Sequence, residues 1–163
     1  MVRKIRGLRG LLAGLLLAGL AAGCSATIPS DPDGTLERVR GDVLRVGVSP
    51  NPPWTIVTAA DAPPAGTEAV LVEEFARSLD AEVEWTVGGE EALVGRLERG
   101  QLDLVVGGLT ARSPWAEKAA LTYRYTEAVG PEGEKELHVM AAPMGENAFL
   151  VELEHFLLGK DLA

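Results

Sequence analysis

The feature that most constrains the fold is an apolar run followed by two glycines and a polar turn. Residues 102–106 are almost entirely apolar, which is typical of a central strand that is buried on both faces. Gly107 and Gly108 lack a Cβ, so the backbone after this strand can turn tightly or admit a close neighbour. Ser113 and Pro114 then have the pattern of a helix N-cap followed by proline in the first turn. Open α/β sheets bind ligands between the end of a parallel strand and the start of the next helix, so this stretch predicts a binding loop.

The first 23 residues predict a secretory signal rather than part of the fold. Four basic side chains precede an apolar run at residues 11–22, which is too short to span a bilayer comfortably. The run ends in Gly23 and Cys24, which resemble the cleavage box of bacterial lipoproteins, and Cys24 would then carry the lipid. An ordinary signal peptide with an unrelated cysteine is the alternative. We favour lipidation because Cys24 is the only cysteine and lies at the cleavage point.

After such a signal, residues 24–34 are rich in turn-forming side chains and predict a tether, and residues 35–163 are long enough for one domain. Without residues 1–23, the chain has 11 basic and 24 acidic side chains, a net charge of −13. Such a surface repels nucleic acid and anionic lipid headgroups. We therefore expect no nucleic-acid partner, and a membrane anchor that depends on acyl chains at the extracytoplasmic face of a bacterial membrane, in the periplasm.

The spacing of apolar side chains predicts alternating strands and helices before the glycine turn. The expected elements are a strand at 43–48, a helix at 68–79, a strand at 82–87, a helix at 90–99 and a strand at 102–106. Two right-handed parallel crossovers join these strands. Charged residues alternate through 82–87, which is typical of an edge strand, so we expect the sheet order second, first, third. The result is a three-layer α/β lobe with a mostly parallel sheet.

Beyond the turn, the sequence predicts a short strand at 121–125, a polar linker at 126–135, a last strand at 137–141 and a closing helix at 146–158. In the order second, first, third, the loops after the first and third strands meet at a topological switch point. The candidate binding residues lie on those two loops and just after them: Pro53, Trp54, Gly108, Leu109, Thr110, Arg112 and Trp115.

Each of these side chains has a plain structural interpretation as well. Trp54 could stack on a ligand or be an aromatic at the edge of the core, and Thr110 could bind a ligand or cap the turn. Arg112 is a solvated charge or a carboxylate clamp, and Trp115 fills ligand space or faces a partner. His138 has no metal-ligand spacing to another residue, so we expect no metal or cofactor.

Catalysis needs a nucleophile or an acid–base pair held by its neighbours. Ser49 and Ser113 have no histidine placed by a recognised motif to activate them. We therefore predict that the chain is not an enzyme.

Three runs together resemble the family 3 bacterial extracellular solute-binding proteins, the polar-amino-acid receptors of ABC transporters. They are LRVGV at 44–48, PPW at 52–54 and GQLDLVVGGLT at 100–110, with a helix of matching pattern at 70–76 between them. The resemblance covers residues from about 40 to 125. It implies a periplasmic-binding-protein fold, a small polar ligand and a membrane transporter as partner.

The sequence departs from the family pattern in two places. Family members build a second lobe after the position of Tyr125, whereas only the ten residues 126–135 stand here. Members that bind amino acids also carry an arginine five residues beyond the threonine that matches Thr110, and this chain has Trp115 there. Two hypotheses follow: a solitary first lobe that binds solute weakly or with a partner's help, or a lipoprotein adaptor that docks on a membrane transporter or sensor through the former cleft.

Overall fold

A five-stranded sheet forms the centre of a computed structural model that describes residues 29–59 and 62–160. The strands are β1 (Val43–Val48), β2 (Glu82–Val87), β3 (Leu104–Val106), β4 (Ala120–Leu121), β5 (Thr126–Val129), β6 (Lys135–His138) and β7 (Ala141–Ala142). The helices are α1 (Thr35–Val39), α2 (Thr67–Ser78), α3 (Glu90–Glu98) and α4 (Asn147–Leu158), with a 3₁₀ helix at Pro114–Glu117. No helix in the described ranges is long and apolar enough to cross a membrane.

The sheet order is β2-β1-β3-β7-β4, which confirms the predicted order second, first, third. β1 pairs in parallel with both β2 and β3, and β7 returns antiparallel between β3 and β4. β2 lies at the edge, where its acidic side chains face solvent as the alternation indicated. The carboxyl ends of β1 and β3 are adjacent, so the loops that follow them start side by side.

Helices cover both faces of the sheet, as expected for three layers. On one face Phe75 of α2 and Phe149 of α4 meet edge to face over β1 and β3, with ring centroids 5.8 Å apart. On the other face Leu93 and Leu97 of α3 pack against Val105. The periodic apolar positions of α2, α3 and α4 therefore predicted the core correctly.

Asp103, at the start of β3, is fully buried and joins three elements. Its carboxylate accepts from the guanidinium groups of Arg38 at 2.8 Å and Arg45 at 2.6 Å, and from the Arg45 backbone N–H at 2.9 Å. Burial alone would raise the pKa of Asp103, but the hydrogen bonds from Arg45 and Arg38 hold it below its usual value. Asp103 therefore fastens α1 and β1 to the start of β3 through one backbone and two arginine donors.

The predicted polar linker at 126–135 is wrong, because β5 and β6 pair as an antiparallel hairpin outside the main sheet. The turn is closed by the Gly133 N–H donating to the Gly130 carbonyl at 2.9 Å, with Gly133 at a φ of 82°. The single strand predicted at 137–141 is likewise divided, since β6 ends at His138 and β7 begins at Ala141. The chain changes sheets between them, and the strand predicted at 121–125 is only Ala120–Leu121.

Candidate functional site

The Gly107–Gly108 turn after β3 is held by one buried carboxylate. Glu68, in the first turn of α2, is completely buried, and its Oε2 accepts both glycine N–H groups at 2.8 Å. Its Oε1 accepts the Tyr125 hydroxyl at 2.5 Å. Burial raises the pKa of Glu68, an effect that the hydrogen bonds from Tyr125 and the two glycines oppose. Burial and the adjacent Glu68 carboxyl together raise the pKa of Tyr125.

The loop after β1 is fastened to the same turn. Asn51 donates through Nδ2 to the Gly107 carbonyl at 2.9 Å, and the Trp54 carbonyl accepts the Glu68 N–H at 3.0 Å. Gly108 has a φ of 66°, and a Cβ there would lie 2.7 Å from Cδ1 of Trp54. Only glycine therefore allows the Trp54 ring to lie against the turn.

Trp54 also stacks on His138, the last residue of β6. The two ring centroids are 3.8 Å apart, with 32° between the planes. His138 is 1% exposed, and neither imidazole nitrogen has a hydrogen-bond partner of good geometry among the described residues. Burial lowers the pKa of His138, while the Glu136 carboxylate, 3.8 Å from Nε2, and the backbone at Gly108 and Leu109 oppose that shift.

These groups surround a cavity of about 510 Å³ between the switch-point loops and the β5–β6 hairpin. Its lining is Asn51, Pro52, Pro53, Trp54, Gly108, Thr110, Ala128, Val129, Gly130, Pro131, Glu136 and His138. The loop at 51–54 forms one wall and the hairpin tip at 128–131 forms another. Such a volume suits a ligand of small-molecule size.

Four of the predicted site residues line this cavity: Pro53, Trp54, Gly108 and Thr110. The other three do not. Leu109 is buried in the core beneath α3, and exposed Arg112 donates from its guanidinium to the Lys135 carbonyl at 2.9 Å. Trp115 packs toward α3, where its indole N–H donates to the Glu90 carboxylate at 2.8 Å. Cys24 lies outside the described residues.

Sequence analysis missed Asn51, Glu68, Glu136 and the hairpin tip as parts of the site, and it considered His138 only as a metal ligand. The run Val-Gly-Pro-Glu-Gly at 129–133 is a turn signal between two short segments, and it could have indicated the hairpin. Nothing local in the sequence marks Glu68, because its partners are 39 to 57 residues away along the chain.

The fold and the switch-point cavity define a lobe of the periplasmic-binding-protein type. The sequence model of the bacterial extracellular solute-binding proteins, family 3, matches residues 44–133, and the chain belongs to that family. The resemblance stated from the sequence is thereby confirmed. No curated protein matches the chain.

Solved structures with the same fold include arginine-binding and lysine-binding proteins. A mutant of the arginine-bound form of domain 1 from TmArgBP, the arginine-binding protein of T. maritima, is 24% identical over 75% of this chain and 95% of that one, with a TM-score of 0.64. An ancestral cationic amino acid solute-binding protein is 14% identical over 76% of this chain and 92% of that one, with a TM-score of 0.63. An ABC-transporter binding component from Wolinella succinogenes, complexed with lysine, is 13% identical over 72% of this chain and 89% of that one, with a TM-score of 0.61. At these identities the likeness establishes the fold.

Proposed function

We propose that this chain is a lipid-anchored, single-lobe solute-binding protein that holds a small polar solute outside the cytoplasm, in association with a membrane transporter. The observation that carries the proposal is the cavity between Trp54, the Gly108 turn and the hairpin tip. It lies at the carboxyl ends of β1 and β3, where parallel sheets of this kind bind their ligands. We also propose that it has no catalytic role, in keeping with a family defined by binding.

The β5–β6 hairpin supplies the opposing wall that a second lobe provides in two-lobed members of the family. Ala128 and Glu136 are paired across the hairpin, and both line the cavity together with Gly130 and Pro131. The hairpin is also fixed to the turn after β3, because the Ala111 N–H donates to the Leu137 carbonyl and the Val139 N–H, directly after β6, donates to the Leu109 carbonyl. A ligand in the cavity would therefore contact the loop at 51–54 on one side and the hairpin on the other, within a single lobe.

A one-lobe site is expected to bind weakly. A two-lobed receptor with micromolar affinity uses roughly 8 kcal/mol, and half of that free energy corresponds to an affinity of roughly millimolar. The arginine-bound form of domain 1 from TmArgBP supports the idea that one domain of this fold can hold a ligand. Attachment through Cys24 would offset weak binding by concentrating the protein beside its transporter at the membrane.

A thermal-shift screen of the purified full-length chain tests this proposal. Amino acids, organic acids, polyamines and sugars would be added at millimolar concentrations. A ligand at ten times its dissociation constant adds about 1.4 kcal/mol to the free energy of unfolding, which raises the melting temperature by a few degrees. We expect one chemical class to raise it, and we expect Trp54→Ala to abolish the shift relative to its own unliganded midpoint.

Trp115→Ala is the matched control, since it removes the same type of side chain outside the cavity. A shift that is retained in Trp54→Ala would place the ligand elsewhere and contradict the proposed site. The absence of any shift across the library would favour the second candidate function, an adaptor. Val129, an apolar residue of the cavity rim that is 79% exposed, would lie in such a docking surface. Co-purification of a membrane transporter or sensor, lost on Val129→Ser, would then support the adaptor.

A further inference from the structure

We infer that the solute held in this cavity is an organic cation without a carboxylate, either an alkylammonium or a guanidinium compound. The inference rests on the proposed function and deepens it, because it concerns the same cavity. Its basis is the balance of donors and acceptors that face the ligand space.

The backbone donors of the glycine turn are already committed within the protein. Gly107 and Gly108 donate to Glu68, Thr110 donates to the Ser113 hydroxyl at 3.1 Å, and Ala111 donates to the Leu137 carbonyl at 2.8 Å. The Asn51 amide donates to the Gly107 carbonyl. A ligand carboxylate would therefore have to break existing hydrogen bonds to obtain these donors.

The positive side chains of the turn and the hairpin contact residues that do not line the cavity. Among the described residues that line it, none is lysine or arginine. Arg112 donates to the Lys135 carbonyl, and Lys135 itself forms an ion pair with Glu127 on the far side of the hairpin. Trp115 also lies outside the cavity, where its indole N–H donates to Glu90 of α3.

The groups that do face the cavity suit a cation. Glu136 lines the cavity with 29% of its side chain exposed, and the indole of Trp54, which packs against His138, lines it as well. A carboxylate and an aromatic face are the two partners that ammonium and guanidinium groups prefer. The net charge of −9 also attracts cations to the surface.

Calorimetric titration with two matched pairs of probes tests the inference on the full-length chain. Agmatine is arginine without its carboxylate, and cadaverine is lysine without its carboxylate. We expect each decarboxylated compound to bind about tenfold more tightly than its parent amino acid, because the parent leaves a carboxylate unpaired in the site. Tighter binding of arginine and lysine would overturn the inference while leaving the proposed function intact. Failure of every probe and of every compound in the thermal-shift library would overturn both.

Two hairpin variants identify the group that holds the cation. Glu136→Gln is expected to weaken agmatine binding about tenfold, since a charge-assisted hydrogen bond becomes a neutral one. Glu127→Gln changes the net charge equally on the opposite face of the hairpin, and it should leave the affinity within twofold. Equal losses in both variants would mean that only net charge attracts the ligand, and unchanged affinity in Glu136→Gln would remove Glu136 from the site. The melting temperature of each unliganded variant checks that it is folded.

Discussion

At the scale of single residues, one buried carboxylate sets the shape of the candidate site. Glu68 accepts from the turn after β3 and from Tyr125, which directly precedes β5, so it joins the glycine turn to the start of the hairpin. The helix pattern of the sequence places Glu68 in the first turn of α2. Its role depends on Gly107, Gly108 and Tyr125, which lie far along the chain. A side chain without two acceptor oxygens could not make these bonds.

Replacing Glu68 tests that role. In Glu68→Ala, the N–H groups of Gly107 and Gly108 and the Tyr125 hydroxyl lose their acceptor. We expect the free energy of unfolding to fall by about 3 kcal/mol, since each unsatisfied buried group costs roughly 1–3 kcal/mol. Glu68→Gln keeps an acceptor oxygen and should lose less than half as much. Urea denaturation measures both, with the exposed Glu73→Ala as control. A loss no larger in Glu68→Ala than in Glu73→Ala would contradict the role of Glu68.

His138 predicts a dependence of stability on pH. Burial lowers the pKa of His138 in the folded chain, so the unfolded chain binds more protons between that pKa and about 6.5. The free energy of unfolding should therefore fall as the pH decreases below about 6.5. The slope of that fall has an upper limit of about 1.4 kcal/mol per pH unit from this group. Denaturation of wild type and His138→Gln between pH 5 and pH 8 measures it.

The exposed His155 provides the control for that measurement. We expect His138→Gln to flatten the pH dependence and His155→Gln to leave it unchanged. Asp103 affects stability in a lower pH range, because its pKa lies below its usual value. Its contribution to the free energy of unfolding is lost only as the pH falls through that lowered pKa. A wild-type profile that is equally steep in His138→Gln would show that another group is responsible.

At the scale of elements, the β5–β6 hairpin is the main difference between the structure and the sequence prediction, which placed a polar linker at 126–135. β5 and β6 carry Glu127, Glu136 and Lys135, residue types that are depleted in strands, and their exposed positions gave no clean alternation of apolar and polar side chains. Cross-strand contacts, including the Lys135–Glu127 ion pair, stabilise the hairpin although its residues have low strand propensity. By contrast, β1, α2, β2 and α3 were predictable because each buries one regular apolar face.

Filling the cavity from the hairpin tests whether the hairpin forms its wall. Ala128 lines the cavity and pairs with Glu136, so Ala128→Leu adds three carbon atoms to the ligand space. We expect it to weaken binding of the best compound from the thermal-shift screen at least tenfold, through steric exclusion, with little change in stability. Glu127→Leu, on the other face of β5, is the control and should bind normally. Equal affinities for Ala128→Leu and wild type, measured by calorimetry, would mean that the hairpin does not contact the solute.

At the scale of the whole molecule, the described residues form one α/β lobe with a cavity at the loops that follow β1 and β3. The sheet order, the switch point and four of the candidate residues could be predicted from the sequence, because local periodicity and the rules of parallel crossovers determine them. The orientations of Arg112 and Trp115 could not be predicted, because they depend on Lys135 and Glu90, which the fold alone brings near.

The proposed membrane attachment concerns the whole chain, and a substitution of Cys24 tests it. If the signal is of the lipoprotein type, cells that express the wild-type chain should incorporate labelled palmitate into it and retain it in the membrane fraction. Cys24→Ser should lose both the label and the attachment, since the net charge gives no other affinity for anionic lipid. Membrane retention of unlabelled Cys24→Ser would indicate an uncleaved signal or a protein partner instead.

The most direct test of a one-lobe binding site is solution NMR of the tryptophan indole N–H groups. The chain has three tryptophans, and only Trp54 lines the cavity, so Trp85 and Trp115 are internal controls in every spectrum. The ¹⁵N-labelled chain would be titrated separately with arginine, lysine, glutamate, agmatine and cadaverine up to tens of millimolar. We expect at least one of these solutes to shift the Trp54 indole resonance in a saturable way while the resonances of Trp85 and Trp115 stay in place. A Trp54 resonance that none of them moves, or a solute that moves Trp115 instead, would contradict this expectation.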